Sequence, residues 1–135
     1  MSRMIFVNLP VADLDASTAF YTGLGFSKNA EFSDGNASCI VISEAIHVML
    51  LTREFFAGFI TGEIAPPGTT QVLPCLSASS RDEVDELVNK ALALGGKPWR
   101  PTMEQGPMYG WSFCDPDGHA WELMHMDLSV GAGQA

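Results

Sequence analysis

The sequence predicts an α+β fold: two βαβββ modules whose cupped mixed β-sheets carry their helices on the outside. Three observations lead there. A strand–helix–strand pattern occurs twice, a capping box opens the second helix, and a tight turn near the C-terminus joins two apolar strands. Arg3 to Pro10 reads as the first strand. Asp13 is placed to cap a helix running to about Thr22, with Asp15 near the positive end of its dipole and Gly23 and Gly25 ending it. Three short strands follow at Ser27 to Phe32, Ser38 to Ser43 and Ile46 to Thr52, separated by Asp34-Gly35-Asn36 and Ser43-Glu44 turns.

The second module repeats the order. A strand is expected at Gln71 to Ser77, and Ser80-Arg81-Asp82-Glu83 has the form of a capping box. Val84, Leu87, Val88, Ala91 and Leu92 then recur as the apolar stripe of an amphipathic helix that Gly95-Gly96 stops. Strands near Lys97 to Met103, Tyr109 to Asp115 and His119 to Met126 complete the module. Asp115-Pro116-Asp117-Gly118 supplies the proline and glycine that a tight hairpin turn needs. The organisation is one domain over 1–127, with modules at about 3–60 and 71–127, a linker at 61–70 containing Pro66-Pro67-Gly68, and a flexible tail at 128–135.

Composition narrows the function classes. With 135 residues, 47% of them hydrophobic, the chain can bury the core of a single soluble unit. Sixteen Asp and Glu against seven Lys and Arg, with no basic cluster, oppose nucleic acid and anionic membrane surfaces as partners. Cys39, Cys75 and Cys114 lie far apart and outside any C-x-x-C pair, as suits buried, reduced thiols. No apolar run reaches membrane-spanning length and the N-terminus makes a poor signal peptide, so the cytoplasm is expected.

Strand periodicity then sorts the side chains. On the last strand Ala120, Glu122, Met124 and Met126 share one face, while His119, Trp121, Leu123 and His125 share the other. A carboxylate between Trp121 and Leu123 is costly to bury without a partner, which singles out Glu122. On the first strand Ile5, Val7 and Leu9 suit the helix side, leaving Phe6 and Asn8 opposite; Ile46, Val48 and Leu50 likewise leave His47 and Met49. Phe6, Asn8, His47, Met49, Gln71, Leu73, Glu122 and Met124 then line an apolar pocket with a few convergent polar groups, the usual character of a small-molecule site. Tyr109 and Trp111, after Gly106-Pro107, are open to two readings: edge-strand packing, or a mobile rim that meets a planar ligand. His119 and His125 read as structural. The aromatic run Phe55, Phe56, Phe59 and Ile60, in a short helical segment, is suited to closing the cavity or packing on another subunit.

The run from Asn8 to Tyr21, Leu24-Gly-Phe26, the Asp115-Pro-Asp-Gly118 turn and Trp121-Glu-Leu123 resemble the vicinal oxygen chelate superfamily, which includes glyoxalase I, bleomycin- and fosfomycin-resistance proteins and extradiol dioxygenases. The resemblance runs from Arg3 to Asp127 and is specific for the fold. It implies four inward positions that bind metal in metal-using members, here Phe6, His47, Gln71 and Glu122. Phe6 has no lone pair to give and Gln71 is a weak ligand, so no cofactor is expected; a divalent metal, if one binds, takes His47, Gln71 and Glu122. His47 and Glu122 are open to three readings: an acid–base pair, a reduced metal site, or a polar pair that fills the cup. The resemblance implies a glyoxalase-like lyase or isomerase in which this pair moves a proton on a small organic molecule. The alternative is a ligand-sequestering protein of the bleomycin-resistance type, and a homodimer is the implied assembly.

Overall fold

A computed structural model of the chain describes residues 3–127. The tail expected at 128–135 lies outside the described residues. Two compact units divide between Thr69 and Thr70. Each builds a mixed sheet covered by one long helix.

In the first unit β1 (Ile5–Val11), β2 (Ser27–Asn29), β3 (Ala37–Val41) and β4 (Ile46–Thr52) lie in the order β1-β4-β3-β2, with β1 parallel to β4 and the other pairs antiparallel. The helix α1 (Leu14–Gly23) starts where Asp13 accepts a 3.0 Å hydrogen bond from the Ala16 amide. It packs on β3 and β4, and the Thr18 and Ser38 hydroxyls share a 2.7 Å hydrogen bond. Ser38 pairs with Leu50 and Ile40 with Val48, so these side chains, with Val7 and Leu9 of β1, form the helix-covered face. Ile40, Val48 and Leu50 are fully buried, each contributing about 1.5–3 kcal/mol relative to exposure.

The expected strand over Ser27–Phe32 is shorter, because its second half is a 3₁₀ turn, Ala30–Phe32. Asn29 causes the break: its side chain accepts from the Glu31 amide at 3.0 Å, drawing the backbone out of the ladder. At the Asp34-Gly-Asn36 turn, Asp34 Oδ1 accepts from the amides of Asn36 (2.8 Å) and Ala37 (3.1 Å). After β4, Thr52 caps the short helix α2 (Arg53–Ala57) by accepting from the Phe55 amide at 3.2 Å.

In the second unit β5 (Cys75–Ser77), β6 (Lys97–Pro98), β7 (Met103–Gln105), β8 (Met108–Cys114) and β9 (Ala120–Met126) form a sheet ordered β5-β9-β8-β6, with β7 also on β8. β5 is parallel to β9 and the rest are antiparallel. The helix α3 (Arg81–Ala93) opens with a reciprocal cap: Ser80 accepts from the Glu83 amide at 3.0 Å, and Glu83 accepts from the Ser79 amide at 2.8 Å. Val84, Val88 and Ala91 are its buried stripe. The single strand expected over Lys97–Met103 is two short pieces, β6 and β7. Pro98 and Pro101 have no amide hydrogen for the ladder, and between them the Arg100 amide donates to the Ser112 hydroxyl at 3.1 Å. The β8–β9 hairpin turns at Asp115–Gly118, where Gly118 adopts a φ of 89° and donates to the Asp115 carbonyl at 2.9 Å. Among the described residues no helix is long and apolar enough to cross a membrane.

Candidate functional site

The face of each sheet that its helix leaves uncovered carries the candidates. In the first unit β1 and β4 run in register, Phe6 beside His47 and Asn8 beside Met49. All four therefore stand on one face, opposite Val7, Leu9, Val48 and Leu50. Phe6 is 48% exposed and stacks on the imidazole of His47, ring centroids 4.6 Å apart and planes 14° from parallel. His47 is only 7% exposed, and its Nδ1 has no hydrogen-bond partner among the described residues.

In the second unit the register between β8 and β9 fixes the faces. Tyr109 Oη donates to Asp85 on α3 at 2.5 Å, so Tyr109 and its partner His125 are on the helix side. Alternation places Trp111, Leu123 and Trp121 there too. Glu122 consequently stands on the uncovered face, with Ser112 of β8 on one side and Cys75 of β5 on the other. Met103 and Met124 bring their methyl ends over Gly110 of the same sheet. Cys75, Ser77, Ala78, Met124 and Met126 line an open concavity of about 410 Å³.

Three expectations need correction. Tyr109 and Trp111 are not on a rim beside Glu122: two-residue alternation puts them on the opposite face. Tyr109 is held there by Asp85 and by the Arg81 guanidinium, 4.3 Å above its ring. The Asp85 hydrogen bond, then burial and the Asp85 charge, push its hydroxyl up to about 12. Gln71 is not a strand residue; it is exposed in the irregular stretch before β5. Cys75 is not buried, although Cys39 and Cys114 are. His125 donates from Nδ1 to the Ala78 carbonyl at 3.1 Å, tying β9 to the segment after β5.

Cys75 is the residue that sequence reasoning missed beside Glu122. The available signal was Pro74. Proline suits the entry to a strand, so the ladder begins after it, and the Pro74 carbonyl accepts from the Glu122 amide at 2.9 Å. Partial desolvation raises the Cys75 thiol above its ordinary value, and the neighbouring Glu122 carboxylate raises it further.

Metal-using relatives need three or four donors. Among the described residues, no three His, Cys, Asp or Glu side chains gather into such a group. The first unit's face offers His47 beside a phenyl ring; the second offers Glu122 beside a thiol. This donor set does not fit the usual centre.

Comparison with known proteins agrees with the fold. Among curated proteins, none matches the chain. Among solved structures, the hypothetical protein SA1046 from S. aureus superposes with a TM-score of 0.79 at 29% identity, covering 93% of this chain and 94% of that one. Lactoylglutathione lyase from Agrobacterium tumefaciens gives 0.68 at 22% identity (95% and 96% covered). The genomically encoded fosfomycin resistance protein FosX from Listeria monocytogenes gives 0.69 at 22% (96% and 98%). At that identity the last two show the fold alone. The sequence model of the Glyoxalase/Bleomycin resistance protein/Dioxygenase superfamily matches residues 3–123, and with the duplicated sheet topology it establishes that the chain belongs to this superfamily.

Proposed function

We propose that the protein is a glyoxalase-type lyase or isomerase acting on a small organic molecule, with Glu122 and His47 as the proton-transfer pair. The observation that carries this reading is the placement of these two titratable side chains. Each stands on the helix-free face of its unit, where the last strand lies against the first. In this reading Glu122 takes a proton from the bound molecule and returns it at another atom, while a ring N–H of His47 steadies the oxygen that gains charge. Phe6, Asn8 and Met49 supply apolar and amide contacts around His47. We further propose that the protein works without a resident metal, as a homodimer, in the cytoplasm. The donor set supports the first point. The T-shaped pair of Phe55 and Phe59, both exposed, supports the second, and three free cysteines the third.

A second reading, sequestration without turnover, is favoured by the methionine-lined concavity, since thioethers adapt to varied apolar ligands. One experiment separates the two. Lactoylglutathione and fosfomycin, the compounds in the names of two relatives, serve as first probes for binding by calorimetry and for turnover. Catalysis predicts turnover of a probe that falls about 10²- to 10⁴-fold in Glu122→Gln with the fold intact. Binding that is unaccompanied by turnover and survives Glu122→Gln and His47→Ala favours sequestration. About one transition metal per chain after exhaustive dialysis would overturn the metal-free reading.

A further inference from the structure

The neighbours of Glu122 differ in kind from those of His47. His47 is stacked against a hydrocarbon ring, whereas Glu122 has a thiol on the adjacent strand: Cys75 is its register partner in the parallel β5–β9 pair. Partners in such a pair project to the same face, so the thiol and the carboxylate stand side by side. The Glu122 amide is already bound to the Pro74 carbonyl, which holds the two backbones at ladder distance. Cys75 is exposed and lines the concavity with Ser77 and Met124, and Glu122 is half-buried on the same face, so neither side chain is enclosed in the core. Ser112, the other register partner of Glu122, accepts the Arg100 amide through its hydroxyl oxygen and keeps its own O–H.

We propose that Cys75 is the positioning residue of Glu122: its S–H donates to the carboxylate and fixes the direction in which the free oxygen faces the concavity. The assignment rests on the reading of Glu122 as the working carboxylate, and it gives that carboxylate an orienting partner, whereas His47 Nδ1 has none among the described residues. The elevated thiol agrees with this geometry, because a group held in its protonated form can serve as donor at neutral pH. Glu122 is the charged side chain that acts on it. The same elevation makes Cys75 a slow nucleophile despite its exposure, since the thiolate is the reactive form.

The test needs no substrate. Full-length protein is treated with iodoacetamide over a range of pH, and alkylation at Cys75 is followed by mass spectrometry, with buried Cys39 and Cys114 as internal references. Glu122→Gln removes the charge and is expected to speed alkylation of Cys75 at pH 8 by about twofold or more, because the rate follows the thiolate fraction. Identical pH profiles in the two proteins would overturn the proposal. A second measurement reads the carboxylate itself, as the Glu122 carboxyl carbon resonance in protein labelled at glutamate with ¹³C. Cys75→Ser, which keeps a donor, should hold that resonance near its place, and Cys75→Ala should move it. A resonance that ignores Cys75→Ala would also overturn the proposal. If both measurements show the coupling while Glu122→Gln leaves turnover and binding of a probe unchanged, the pairing stands and the catalytic reading of Glu122 falls.

Discussion

The two units share a topology but not a way of using it. In the first, β1 lies along β4 over seven register pairs; in the second, β5 lies along β9 over three. The long pairing carries an aromatic stack that shields a buried imidazole, and the short one carries a thiol beside a carboxylate at the edge of an open concavity. A repeated topology keeps side-chain positions while their chemistry diverges. Packing of sheet under helix is common to both halves, and the groups on the uncovered faces are not.

The largest expected effect tests what is common. Leu50→Ala and Leu123→Ala each remove a side chain that is almost completely buried, and each should cost about 2–5 kcal/mol in urea unfolding. A loss below about 1 kcal/mol at either position would show that its sheet is not packed as described.

Next comes the contact between Tyr109 and Asp85 in the second unit. Tyr109→Phe removes the donor to Asp85 and should cost about 1–2 kcal/mol at pH 7. Because the folded-state hydroxyl is raised to about 12, the native state keeps a proton that the unfolded chain releases near 10. Its contribution is therefore fully present below pH 10 and is lost as pH rises toward 12. Stability of the parent protein should fall more steeply across that window than stability of Tyr109→Phe, and parallel slopes would argue against the bond.

Smaller still are the helix caps. Asp13→Ala and Ser80→Ala should each cost about 0.5–2 kcal/mol, with the larger loss at Asp13. At α3 the Glu83 bond to the Ser79 amide survives when Ser80 is lost, so adding Glu83→Ala to Ser80→Ala should remove the difference. The smallest effect is expected at Glu104→Gln. Its 2.7 Å ion pair with Arg81 joins two exposed side chains, so the thermal midpoint should not change measurably.

What could be read from the sequence was whatever depended on local chemistry. Asp13, Ser80 and the Asp115–Gly118 turn announced their elements because caps and turns use hydrogen bonds within a few residues. The faces of β1, β4 and β9 followed from period two along strands with mixed composition. The failures lie where a nonlocal or competing interaction decides. Asn29 ends a strand by capping its own neighbour's amide, and two prolines split what reads as one strand into β6 and β7. Tyr109 looked like a rim residue because glycine and proline precede it, yet its side is chosen by Asp85, 24 positions earlier in the chain. Cys75 was overlooked because its partner Glu122 is remote in sequence and is fixed only by the parallel register.

That parallel register also governs how each unit can assemble. β4 and β9 are the last strands of their units, yet each sits second in its sheet, between the first strand and the antiparallel remainder. Until Ile46 to Thr52 has left the ribosome, β1 has no strand to bind, and the β2–β3 hairpin cannot supply one. The same holds for β5 until Ala120 to Met126 emerges. Each sheet is thus closed by its final strand, a long-range contact that must form after a costly loop closure and that slows folding relative to hairpin zippering. A nascent chain halted just before either closing strand presents an unpaired apolar edge, which makes these two lengths the ones at which chaperone engagement is most needed.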